Sequence, residues 1–155
     1  EEVFGMQPDI ITTAKGLTSG YLPLGACIFS ERIWQVIGEP GKGRCFTHGF
    51  TYSGHPVSCV AALKNIEIIE RENLLAHVEE VGVYMEQRLQ TLAELPLVGS
   101  VRCKRLMACV EFVADKRTKA LLPDALNIAE RIHLRAQAKG LLVRPIGHLN
   151  VMSPP

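Results

Sequence analysis

The sequence predicts an α/β fold built from two sub-structures, and three observations carry that reading. Short apolar or β-branched runs alternate with helical periodicities along the chain, which is the wiring of α/β proteins. A long amphipathic stretch from about Asn73 to Leu95 lies near the middle, with Leu74, Val78, Val81, Met85, Leu89 and Leu92 on one stripe. The charge balance changes at its start. Residues 1–72 hold six basic and eight acidic side chains and residues 73–155 hold eleven and eight, together the chain's 17 and 16. The economical picture is one unit over 1–72 and a second over 73–155.

In chain order, Pro8 to Ala14 (PDIITTA) is β-branched and reads as a buried strand. Lys15 follows, then the segment Gly16 to Gly25, whose three glycines and one proline predict an irregular loop. Ala26 to Phe29 reads as a second strand. Ser30 stands as the N-cap of a short helix through Val36, and Gly38 to Arg44 as a turn-rich loop. Pro56 suits the first turn of a helix running to about Glu72, and its first two turns, free of charge, predict a buried start. Pro96 stops the long helix. Strands are expected at Leu97–Arg102 and Met107–Val113. A helix is expected from about Pro123 to Lys139, with Ala125, Ile128, Ala129, Ile132 and Ala136 inward and Gly140 ending it. Strand-like Leu141–Arg144 and Asn150–Met152 follow.

Composition excludes several classes. A formal net charge of +1 removes the electrostatic argument for a nucleic-acid binder. With 47% apolar and 21% charged residues the 155-residue chain is not of a disordered type. The longest uncharged run, Cys45 to Leu63, is broken by glycines, His55 and Pro56, so no membrane span is expected. Cysteines 27, 45, 59, 103 and 109 form no C-x-x-C pair, and histidines 48, 55, 77, 133 and 148 have no i, i+4 spacing. Reduced thiols in a cytoplasmic protein, and no metal site, are the expectation. The absence of an initiator Met and the Met152-Ser153-Pro154-Pro155 ending suggest a fragment of a longer protein.

Three places could carry chemistry. Lys15 lies between an apolar strand and a glycine-rich loop, with no other charge from Gly16 to Ser30. Poor solvation there would favour the neutral amine, a nucleophile towards carbonyls. A strand-end lysine reaching to water is the plainer reading of that local context. FTHGFTYSGHP, Phe46 to Pro56, offers the hydroxyls of Thr47, Thr51 and Ser53 and free N–H groups before a helix, where an anion could sit; an ordinary capped helix start explains it equally. Arg144, ahead of Pro145 and so biased to extended backbone, could clamp a carboxylate or simply be solvated. Arg102, Lys104 and Arg105 read as a solvated turn.

A lysine, an anion cradle and a carboxylate clamp are together the handles that pyridoxal-phosphate chemistry on amino acids requires. The wording is more specific still. PDIITTAKGLTSGYLPLGA followed by HGFTYSGHPVSCVAALKNIEIIE resembles the class III, or ω-, aminotransferases, and GLLVRPIGHLNVMSPP is similar to their C-terminal segment. The resemblance runs nearly the whole chain. HGFTYSGHP is closer to the ω-amino acid:pyruvate branch than to the ornithine-type wording HGSTFGGNP.

The resemblance implies roles residue by residue. Lys15 matches the lysine that holds pyridoxal 5'-phosphate covalently and acts as the catalytic base. Thr51, with the backbone at Phe50, matches the cofactor-phosphate element, in this family usually given to the neighbouring subunit of a homodimer with shared active sites. Arg144 matches the mobile arginine that binds a substrate carboxylate. Residues 1–72 would be the end of the large, mostly parallel-sheet domain of a type I pyridoxal-phosphate fold. Residues 73–155 would be the connecting helix and the truncated small C-terminal α/β domain. The carboxylate that pairs with the pyridine nitrogen, the aromatic that stacks on the ring and the glycine-rich phosphate turn of such enzymes have no match here, so the fragment alone is expected to be inactive. Cys103 and Arg105 stand where the family often has glycine. The rival readings are another type I pyridoxal-phosphate enzyme, an aminomutase or decarboxylase, and a non-catalytic α/β interaction module.

Overall fold

The computed structural model describes residues 4–38, 41, 43 and 46–155, so Cys45 and most of the expected loop from Gly38 to Arg44 lie outside the described residues. Two compact units divide between Glu72 and Asn73.

In the first unit, β1 (Ile10–Thr13) pairs antiparallel with β2 (Ala26–Phe29), Ile10 opposite Phe29 and Thr13 opposite Ala26. These two strands, the part of the sheet that this chain holds in residues 1–72, are antiparallel for a local reason. Their connector holds only a single 3-10 turn, Lys15–Thr18, and a parallel pair needs a full crossover, usually a helix. α1 (Glu31–Ile37) starts after Ser30 as expected, but the Ser30 hydroxyl does not cap it. Instead it donates to the Asp9 carboxylate at 3.2 Å, and the Ser30 N–H donates to Asp9 O at 2.9 Å. α2 (Pro56–Arg71) begins at the predicted proline. Its start is buried on one face only: Ser58 and Ala62 are buried, whereas Val57, Val60 and Leu63 are exposed. The inward face of α2 packs on the Lys15–Thr18 turn, and a single helix covers a single side of it.

The second unit opens with α3 (Leu74–Gln90), continued by a 3-10 turn at Thr91–Glu94. All six residues of the predicted stripe are half-buried and Gly82 between them is buried. β3 (Val98–Lys104) and β4 (Met107–Phe112) follow, then α4 (Ile128–Gln137), β5 (Arg144–Ile146) and β6 (Leu149–Met152). The four strands form an antiparallel sheet in the order β3-β4-β6-β5. Val98, Val110, Phe112 and Ala129 make the core, with Ile128, Ile132 and Leu92 packed against it.

Two expectations shift here. The helix predicted from Pro123 is broken, because Asn127 takes φ +45° and separates a 3-10 turn at Asp124–Leu126 from α4; Ala125 is consequently exposed. The strand predicted at Leu141–Arg144 begins only at Arg144. β6 sets that register, pairing Arg144 with Val151 and Ile146 with Leu149, and Pro145 is tolerated because β5 is an edge strand.

The turn between β3 and β4 explains the glycine pattern. Arg105 has φ +54°, the left-handed region that favours glycine. It is accommodated because Gly82 lies beneath it: a Cβ on Gly82 would stand 2.6 Å from the Arg105 Cα. The Arg105 guanidinium donates to Glu79 at 2.7 Å and to Glu86 at 3.1 Å, which anchors the turn to α3. Cys103 lies in regular strand opposite Ala108 and needs no glycine conformation.

Candidate active site

Lys15 opens the 3-10 turn directly after β1 and has φ +53°, a strained conformation for a residue with a side chain. Ser19 closes the turn at φ +51° and Gly20 continues at φ +76°. Of the two readings of Lys15, the plainer one, a strand-end lysine that reaches water, is what the first unit contains. Lys15 is exposed, at the edge of a cavity of about 490 Å3 that is walled by Gly20, Tyr21, Leu22, Pro23 and Leu24.

Two polar side chains hold this turn, and sequence reasoning missed both. Thr18 is 2% exposed and donates its hydroxyl to Leu22 O at 2.5 Å. Asn65 on α2 reaches Gly16, Leu17 and Ser19. No periodicity or motif links Asn65 to a loop almost fifty residues earlier.

The second candidate element, Phe46 to His55, is exposed up to Gly54. Residues 51–54 form a tight turn in which Ser53 N donates to Phe50 O at 2.9 Å and Phe50 N donates to the Ser53 hydroxyl at 2.7 Å. The Phe50 amide and Ser53 are therefore occupied with each other. Thr51 makes no hydrogen bond among the described residues, so its N–H and hydroxyl are available to an anion. Thr47 lies in the irregular stretch before the turn. The helix start itself is closed: His55 Nδ1 accepts from Ser58 N at 3.4 Å and His55 O from Cys59 N at 3.0 Å. The uncommitted N–H and hydroxyl thus lie in the turn, at Thr51, ahead of the α2 terminus.

An aromatic row, also unforeseen, runs beside that turn. Ring centroids follow at 6.2 Å for Trp34–Phe29, 5.6 Å for Phe29–Phe46, 5.4 Å for Phe46–His48 and 5.1 Å for His48–Phe50. Phe29, Phe46, His48, Phe50 and Ser53 line a cavity of about 400 Å3. Pro23 and Leu24 wall this cavity and the Lys15 cavity alike, yet Lys15 and Thr51 do not line one cavity together.

Arg144 starts β5 in the second unit, exposed and without an ion-pair partner among the described residues. Its guanidinium is free to accept a carboxylate.

The sequence pattern of the family described as "Aminotransferase class-III" matches residues 1–155, the whole chain. The chain belongs to the class III aminotransferases. It is 41% identical to an uncharacterized aminotransferase of Sinorhizobium fredii, over 98% of this chain and 33% of that protein. It is 38% identical to a putrescine–pyruvate aminotransferase of Pseudomonas aeruginosa, over 99% of this chain and 33% of the relative. An amine transaminase of an uncultivated Pseudomonas species, solved in its pyridoxal-phosphate-bound form, superposes with a TM-score of 0.91 at 44% identity, covering 99% of this chain and 35% of that one. The chain thus spans about a third of the length of the curated relatives it matches.

For this class III aminotransferase chain the family and α/β readings hold. The donor set suits pyridoxal phosphate: an exposed primary amine for its aldehyde and, at Thr51, an uncommitted hydroxyl and N–H for its phosphate. No group of His, Cys, Asp and Glu capable of holding a metal occurs among the described residues, and no helix there is long and apolar enough to cross a membrane. Cys27, Cys59, Cys103 and Cys109 are free thiols, and burial, then the Glu86 carboxylate, push the Cys103 thiol up.

Proposed function

We propose that these residues belong to a transaminase that moves an amino group from an ω-amino acid or other amine to a keto acid such as pyruvate. The observation that carries this reading is the presentation of Lys15: an exposed amine on a strained turn at the end of a strand, in a chain of this family. Lys15 would hold pyridoxal phosphate, and Thr51 beside Phe50 would bind its phosphate, given to the neighbouring subunit of a homodimer. When bound, that group supplies an electron-withdrawing ring that weakens the C–H bond of the attached amine.

The chain's own residues do the rest. Lys15 Nζ, once free, would take the proton from the donor carbon and later give it back as an acid on the far side of the bridging nitrogen. Arg144 binds the carboxylate of the keto acid through two parallel hydrogen bonds and turns away for amines that lack one. With Phe50 N committed to Ser53, phosphate recognition falls to the Thr51 hydroxyl and N–H.

We read residues 1–72 as the end of the large cofactor-binding domain of a type I fold, and 73–155 as the connecting helix and small domain. A reducing, cytoplasmic setting accords with the four free thiols. The test is product analysis of the full-length enzyme with an amine panel and pyruvate. Stoichiometric alanine with loss of the amine is expected; carbon dioxide or a rearranged amine without alanine would point to a decarboxylase or aminomutase instead.

A further inference from the structure

The carboxamide of Asn65 uses both of its ends on the turn that follows Lys15. Its Nδ2 donates to Gly16 O at 3.0 Å and to Leu17 O at 3.2 Å, and its Oδ1 accepts from the Ser19 hydroxyl at 2.9 Å. Only one orientation satisfies all three partners. Reversed, the amide oxygen would face two carbonyl oxygens.

The turn has reason to need an outside clamp. Lys15 and Ser19 both carry side chains in the left-handed region, at φ +53° and +51°, which persists only where the surroundings enforce it. The turn's own backbone bonds are long: Leu17 N to Ala14 O at 3.2 Å, Ser19 N to Gly16 O at 3.1 Å and Gly20 N to Lys15 O at 3.2 Å. Thr18 ties the downstream side to Leu22, but that bond stays within the same loop. Asn65 alone among these groups sits on a regular element, the 16-residue helix α2. α2 begins five residues after Thr51, so one rigid helix holds the Lys15 turn at Asn65 and carries the Thr51 turn at its start.

We propose that Asn65 is a positioning residue for Lys15. It locks the Lys15–Ser19 turn in its strained form and so fixes where the lysine amine is presented, without touching that amine. This rests on Lys15 being the cofactor-bearing lysine.

The test uses the full-length enzyme with Asn65→Ala, Asn65→Asp and Ser19→Ala. Asp keeps the volume and the acceptor of Asn65 but lacks both donors, so a positioning role makes it behave like Ala. With circular dichroism unchanged, both Asn65 variants should exchange the Ser19 and Gly20 amides roughly tenfold faster in the cofactor-free protein, the combined effect of the Asn65 bonds they lose. Loaded with pyridoxal phosphate, they should lose it roughly tenfold faster on dialysis and shift the midpoint of its pH-dependent absorbance change. Ser19→Ala, which loses one bond, should move each readout in the same direction by less. Wild-type exchange and an unshifted midpoint in Asn65→Ala, or wild-type behaviour of Asn65→Asp, would overturn the proposal. If the unsubstituted enzyme itself showed no absorbance band that depends on Lys15, the reading of Lys15 would fall, and this proposal with it, whatever the exchange rates.

Discussion

The two units are held together by different means. Residues 73–155 have a conventional apolar core, in which Val98, Val110, Phe112 and Ala129 are each 6% exposed or less. Among the described residues of 1–72 only Thr18, Ser58 and Ala62 reach that degree of burial, and two of the three are polar. There the order comes from side chains bonded to backbone: Asn65 and Thr18 on the Lys15 turn, Ser53 on Phe50, His55 on Ser58. Apolar packing is non-directional and tolerates modest change, whereas hydrogen bonds fix atoms in particular places. Within this third of the length of its relatives, residues 1–72 are thus ordered more by side-chain-to-backbone bonds than by burial. Substitutions in that bonded network should damage chemistry before stability, and substitutions in the apolar core of 73–155 should do the reverse.

The largest expected effect lies on the chemical side. Lys15→Ala should cut the initial rate of the full-length enzyme roughly 10²–10⁴-fold or more, with its circular dichroism unchanged. Phe112→Ala inverts the pattern. It should cost about 3–5 kcal/mol in a denaturant titration while leaving the KM for both substrates close to wild type. Arg144→Ala is expected to raise the KM for a keto acid about 10–100-fold, the worth of a charge-assisted pair. Rates with amines that lack a carboxylate should change little, and an equal loss on both substrate classes would contradict its role as a clamp.

Gly82→Ala should destabilise by about 1–3 kcal/mol through crowding against the Arg105 backbone. Adding Arg105→Gly should relieve part of that, since glycine takes φ +54° without strain. The smallest effect is at Glu79. The Arg105 hydrogen bond holds its carboxyl below the usual glutamate range, so its contribution is present above that range and lost as pH falls through the lower folded value. Glu79→Gln should flatten only the acid limb of a stability–pH curve.

Much of the second unit was legible in the sequence because burial there follows period. The α3 stripe and the inward face of α4 came from spacing alone, and β4 was missed by one residue at its end. What failed was local backbone: Asn127 at φ +45° splits a segment whose apolar spacing stayed helical throughout. In the first unit Lys15 and Thr51 were visible as residues through their motifs, but not their settings. The exposure of Lys15 agrees with the plainer reading of its neighbours, but the left-handed turn that presents it is not revealed by composition. Asn65 was invisible because its bonds span 46 to 49 residues and obey no repeat.

The most direct test is chemical trapping. Borohydride reduction of the full-length, cofactor-loaded enzyme followed by peptide mapping should place one pyridoxyl group on the peptide that contains Lys15. A label on any other lysine, or none, would contradict the account.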